Sequence, residues 1–313
     1  MLKHHLNKSS EKLAIITLIK HSKTEKKLKD MLINIVNTIV VDNEDIEDDY
    51  SSYLDDLETY IKNTKSRHSV KPKTKDELKD IINKTIKEQG NKCDLNFIDT
   101  SLITDMSEMF ADSKFNGDIS NWNVSNVRDM RYMFSDSKFN SDISNWNVSN
   151  VENMECMFYD SKFNGDISKW NVSKVKFMTS MFFNSEFNSD ISKWDVSSVE
   201  SMSWLFGGSK FNRDISKWNV SNVKYMTSMF RGSNFDGDIS NWNVSNVRNM
   251  EGMFYGSNFN RDISKWDVSN VESMEWMFYG SEFNGDISKW NVSNVTNTFG
   301  MFAKSKLKKD IKK

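Results

Sequence analysis

Residues 115–138, FNGDISNWNVSNVRDMRYMFSDSK, return with small changes at a fixed step of 24 residues as far as residue 306. The tryptophans Trp122, Trp146, Trp170, Trp194, Trp218, Trp242, Trp266 and Trp290 mark that step. Phe115, Phe139, Phe163, Phe187, Phe211, Phe235, Phe259 and Phe283 keep it too, so eight copies follow one another with no insertion or deletion. A fixed period in this range marks a repeat architecture, in which a unit too small to bury its own apolar side chains buries them against its neighbours.

Within one copy, Trp122 and Val124 alternate with Asn121, Asn123 and Ser125, which predicts a short strand. After Val127 the spacing changes to Met130, Met133 and Phe134, which predicts a short helix capped by Ser125 or Asn126. Ser137, Lys138, Asn140 and Ser141 supply the return turn. The expected fold is therefore an α/β solenoid, a leucine-rich-repeat-like right-handed stack of 24-residue strand–helix units behind a small α-helical N-terminal region. At a strand spacing of about 4.8 Å, eight units would extend about 38 Å.

The recurring D-I-S-x-W-[ND]-V-S-x-V-x-x-M-x-x-M-F resembles the BspA-like leucine-rich-repeat family of mycoplasma and spirochaete surface proteins. The segment VKPKTKDEL at residues 70–78 and IDTSLITDM at residues 98–106 are similar to that family as well. The resemblance covers about residues 70–313. It implies a surface-displayed protein-binding module of adhesion or host-interaction type, with no reaction of its own.

Other features narrow the classes. A net charge of −2 gives no global field that favours nucleic acid or an anionic membrane. Cys93 and Cys156 are the only cysteines, too few for a disulfide framework, and two free thiols are expected. No run approaches the eighteen or so apolar residues of a membrane span. The segment LAIITLI at residues 13–19 is short for a signal core and meets Lys20 and His21 instead of a small-residue cleavage site. All four histidines, His4, His5, His21 and His68, precede the repeats, and no glycine-rich phosphate loop or zinc spacing occurs. Neither an enzyme nor a cofactor is expected.

Four regions follow. Residues 1–66 carry helical apolar spacing, as in Leu28, Met31, Leu32, Ile35, Val36 and Ile39, around an acidic run at 42–58. They read either as a solvated helical region or as a segment for self-association or partner docking. Residues 67–114 hold a basic linker, a helix opened by the capping box Thr74-Lys75-Asp76-Glu77 and stopped by Gly90, and a degenerate first turn with Leu95 in the Ile119 place. Residues 115–306 are the eight copies. Residues 307–313, rich in lysine, form a basic C-terminal cap that would keep an open edge soluble.

Several columns could carry chemistry. The aspartates Asp118, Asp142, Asp166, Asp190, Asp214, Asp238, Asp262 and Asp286 offer one carboxylate per copy. That is too few oxygens for a calcium site needing six to eight, so acceptance of backbone amides at a corner is expected and no metal. The Asn123 column matches a glycosylation acceptor pattern, but Asp195 and Asp267 stand in it, so its common task is hydrogen bonding. Variation concentrates in the Asp129, Tyr132 and Ser135 places. Phe177, Phe183, Trp204, Tyr225, Tyr255, Trp276 and Tyr279 there are the candidate contact residues, because aromatics outside a core are common interface anchors. The same rings could instead cover neighbouring turns. Two functional readings stand: a surface binding module, and an intracellular scaffold in which residues 1–66 oligomerise and the repeats form a rigid arm.

Overall fold

The computed structural model describes residues 70–306. The chain divides between His68 and Ser69. The helices and self-association segment expected within 1–66, and the basic cap expected at 307–313, lie outside the described residues.

The first element among the described residues is helix α1, Lys75–Gln89. Thr74 caps it, its hydroxyl accepting from the Glu77 amide at 3.2 Å. The Glu77 carboxylate reaches back to the Lys73 amide at 2.6 Å, one residue before the position that a capping box would use. Gly90, at φ 85°, ends the helix, and its amide donates to the Ile86 carbonyl. Leu78 and Ile82 are fully buried against the first turn, with Ile81 and Ile86 packed beside them. The helix thereby covers the apolar end of the repeats. Leu95 takes the Ile119 role, since the Trp122 indole donates to its carbonyl just as the Trp146 indole donates to that of Ile119.

Beyond α1 no second helix occurs among the described residues, and this corrects the expected strand–helix unit. The Met130, Met133 and Phe134 segment is a run of tight turns. Met133 donates to Met130 and Ser135 to Tyr132, while Met130, Tyr132, Phe134 and Asp136 donate to the carbonyls of Asn153, Glu155, Met157 and Tyr159 in the next copy. The backbone is left-handed at Tyr132 (φ 55°) and Asp136 (φ 52°), which interrupts any right-handed helix within one turn. Size supplies the reason. A helix with side chains is about 10 Å across, whereas paired backbones lie about 4.8 Å apart. Turns whose amides point along the stack can keep that spacing.

The expected strand at Trp122 and Val124 is also a pair of turns, with Trp122 donating to Ile119 and Val127 to Val124. Parallel bridging falls elsewhere, on the Asp129 place, where Asp129 pairs with Asn153, Asn153 with Phe177, and so on to Asn297. The burial alternation is nevertheless as read: Trp122 and Val124 are buried while Asn121 and Asn123 are exposed.

Copies therefore lie one on the next. Each copy's indole Nε1 donates to an isoleucine carbonyl, or to Leu95 in the first case, 27 residues earlier at 3.0–3.2 Å. The Trp122 and Trp146 rings are parallel at 6.4 Å. Phe134 stacks on Phe139 at 4.2 Å and on Phe158 at 5.6 Å, and the interleaving continues to Phe302. Met130 and Met133 fill the remaining space at full burial.

The polar columns close the corners. Each aspartate of the Asp118 column accepts from the serine amide two residues on, at 2.8–3.0 Å. The Asn123 column, Asp195 and Asp267 included, does the same at 3.0–3.2 Å. These amides hold the carboxyls of Asp166, Asp190, Asp214, Asp238 and Asp262 below the ordinary aspartate range. Asp99 falls to about 2 through Ser101 and its pairing with Lys71.

A lowered folded-state value means stability that is present above the unfolded aspartate value of about 3.9 and lost as pH falls through the folded one. The melting temperature should stay flat from neutral pH to about pH 5 and fall between about pH 4 and pH 2. Thermal melts across that range check this, and a rise on acidification would contradict it.

Candidate binding surface

The variable places lie next to one another along the chain, and their backbones are fixed by bonds between copies. The Phe177 carbonyl accepts from the Met154 amide at 3.0 Å, and the Tyr225 carbonyl from Met202 at 2.9 Å. Both residues belong to the bridged Asp129 column and are separated by Ser201. Their rings are 42% and 47% exposed, too open to count as core. Ser201 is turned aside, its hydroxyl bonded to that of Thr179 at 2.9 Å. Two large apolar rings thus stand two copies apart, about 10 Å, with a small residue between them.

The other five candidate residues behave differently. Phe183 stacks on Tyr159 at 5.0 Å and meets Trp204 edge-on at 5.4 Å. Tyr255 stacks on Tyr279 at 4.7 Å and meets Trp276 edge-on at 6.5 Å. The Arg231 guanidinium lies 3.9 Å over Tyr255 and 5.4 Å from Trp204, joining the two groups. The Lys304 ammonium lies 5.4 Å from Tyr279. Phe183, Trp204, Tyr255, Trp276 and Tyr279 are each half-buried, so they form a ribbon whose faces cover neighbouring copies and whose edges meet water.

Two glycines make room for the ribbon. A Cβ at Gly207 would come within 3.1 Å of both Phe183 and Trp204, and one at Gly300 within 2.3 Å of the Trp276 ring. Both tryptophans sit in the left-handed region, Trp204 at φ 59° and Trp276 at φ 52°, which is costly for a bulky side chain. Sequence comparison of the copies missed two contributors to this surface. They are Arg231, which stands in the Ser135 place, and Phe299, 69% exposed beside Trp276. A third column was also missed: Arg128, Glu152, Lys176, Glu200 and Lys224 alternate in sign, with ion pairs Arg128–Glu152 at 3.0 Å, Lys176–Glu152 at 3.5 Å and Lys224–Glu200 at 2.8 Å.

Cys93 and Cys156 are both free, and burial pushes the Cys156 thiol up, so it is a poor nucleophile. Among the described residues no helix is long and apolar enough to cross a membrane.

The backbone at Trp204 sets an unusual substitution order. Trp204→Gly should be at least as stable as Trp204→Ala, the reverse of the usual preference for alanine by about 0.5–1 kcal/mol. Both should melt below the native chain, while Phe177→Ala and Tyr225→Ala should change stability by no more than about 0.5 kcal/mol. Calorimetry of the four variants checks the split between ribbon and exposed rings.

Neither a curated protein nor a solved structure matches this chain. The family described as Mycoplasma protein of unknown function, DUF285, matches residues 78–186, 162–258 and 231–313, three overlapping spans that follow the repeats. These spans take in well over half of the sequence, and the chain belongs to that family of repeat proteins.

Proposed function

We propose that the repeats form a right-handed, leucine-rich-repeat-like solenoid of BspA-like type, and that it is a non-catalytic binding module displayed at a cell surface for adhesion or host contact. The observation that carries the binding reading is the pair Phe177 and Tyr225. Tyr132 and Phe299 are exposed as well, but these two are the pair that share one column and face water on either side of a small residue, Ser201, on a backbone fixed from both sides. Exposed aromatics on a rigid support lose little conformational freedom on binding and are typical anchors of an interface. The partner is a protein that inserts an apolar side chain between the two rings, with the ribbon edges and the Lys176, Glu200 and Lys224 charges forming a polar rim. The adhesion role comes from the family resemblance, and the contact residues come from the geometry.

A photo-crosslinking residue at Ser201 tests this reading. With intact cells or host extracellular matrix, a discrete crosslinked species should form and should fall at least tenfold in the Phe177→Ala/Tyr225→Ala double variant at unchanged melting temperature. An equal yield from the double variant would remove these rings from the interface. Proteolysis of intact producing cells tests the location: loss of the repeats supports surface display, and protection contradicts it.

A further inference from the structure

A second feature begins beside the aromatic pair, at Lys224, and runs to the last copy without using either ring. Asn126 and Arg128 flank the buried Val127, and their columns project outward on either side of it. Over the last four copies these columns bound a groove of about 560 Å³. Asn222, Asn246, Asn270 and Asn294 form one wall, and Lys224, Arg248 and Glu272 the other.

The asparagines are held in one orientation. Each donates through Nδ2 to the carbonyl of a serine 25 residues earlier at 2.6–2.7 Å. This leaves each with one N–H and its Oδ1 for other partners. An earlier copy shows what that oxygen can do, for Lys174 stands in the asparagine column and its ammonium sits on the Asn150 Oδ1 at 2.6 Å. Among the described residues no side chain donates in this way to Asn222, Asn246, Asn270 or Asn294. The opposite wall changes as well. Earlier charges of that column are ion-paired, but Arg248 and Glu272 make no ion pair with one another although they are one copy apart.

We infer that this groove binds a linear, neutral, β-linked oligosaccharide running along the stack, one sugar per copy. A hydroxyl both donates and accepts, which suits an amide that offers one N–H and one oxygen at each step. Arg248 adds donors and Glu272 an acceptor from the other side. An extended β-1,4-linked pyranose chain turns alternate rings over, so like edges recur every second ring at roughly 10 Å, close to twice the ~4.8 Å between copies. An extended peptide presents like side chains about 6.6–6.8 Å apart and loses register within a few copies. The neutral ligand follows from the walls, which bring both signs of charge and four uncharged amides.

Titration calorimetry of the full chain with cellohexaose and chitohexaose, against the curved maltohexaose, tests this. At least one extended hexasaccharide should bind with a dissociation constant below about 1 mM, and maltohexaose more weakly. The variant Asn246→Lys/Asn294→Lys should lose at least tenfold in affinity, because the new ammoniums would occupy the Asn222 and Asn270 Oδ1 atoms as Lys174 occupies that of Asn150. Its melting temperature should hold, since lysine already stands in this column. Phe177→Ala/Tyr225→Ala should bind the sugar normally, which separates this site from the protein-binding surface. No binding of either extended sugar at millimolar concentration, or affinity unchanged in the lysine variant, would overturn the inference.

Discussion

The bond from each indole Nε1 to the isoleucine carbonyl 27 residues earlier is the interaction on which the other features depend. A buried N–H left without a partner costs about 1–3 kcal/mol, and a single copy contains no suitable acceptor for its own indole. The neighbour supplies it. The copy on the other side accepts from the Met130, Tyr132, Phe134 and Asp136 amides and faces the Phe134 ring. Polar satisfaction and apolar burial therefore share one register, and sliding a copy by one residue would break both at once. Only the ends need other arrangements. At the first, α1 lays Leu78 and Ile82 over the Leu95 turn.

Once the interior is set by its neighbours, the outward places are free to vary. Phe177 and Tyr225 can be large and exposed because the Met154 and Met202 amides, and not their own side chains, fix their backbones. Trp204 and Trp276 tolerate left-handed backbones because their rings gain contacts with Phe183, Arg231 and Tyr255. The Asn222-to-Asn294 column is oriented by serine carbonyls of the preceding copy, so its remaining amide atoms face outward at one spacing. Strict repetition inside and free choice outside allow one chain to carry two different surfaces.

Much of this was legible in the sequence. The period named the buried columns correctly, and the Asp118 and Asn123 columns accept serine amides as their chemistry required. The helix was misread because i, i+3 and i+4 apolar spacing at Met130, Met133 and Phe134 also arises from successive turns that all face one core. A correcting signal was present. The Asp136 place is occupied in order by Asp136, Asp160, Asn184, Gly208, Gly232, Gly256, Gly280 and Lys304, a set dominated by residues that tolerate positive φ. The strand was misplaced because burial alternation at Trp122 and Val124 reports which side faces inward, not which amides pair. Neither the ribbon nor the groove could be read from periodicity, since Arg231 over Tyr255 and the unpaired Arg248 and Glu272 depend on side-chain positions between copies.

Removal of chain in whole and in broken register provides the most direct measurement. Deleting residues 187–210 takes out one complete copy and rejoins equivalent places, whereas deleting residues 187–198 sets Trp and Val columns against turns. Stacking through indole–carbonyl bonds predicts that the first variant melts cooperatively, slightly below the native chain, with its tryptophan near-ultraviolet dichroism retained per residue. The second should lose that signal and much of its cooperativity. Equal damage from the two deletions would contradict nearest-neighbour stacking of 24-residue copies.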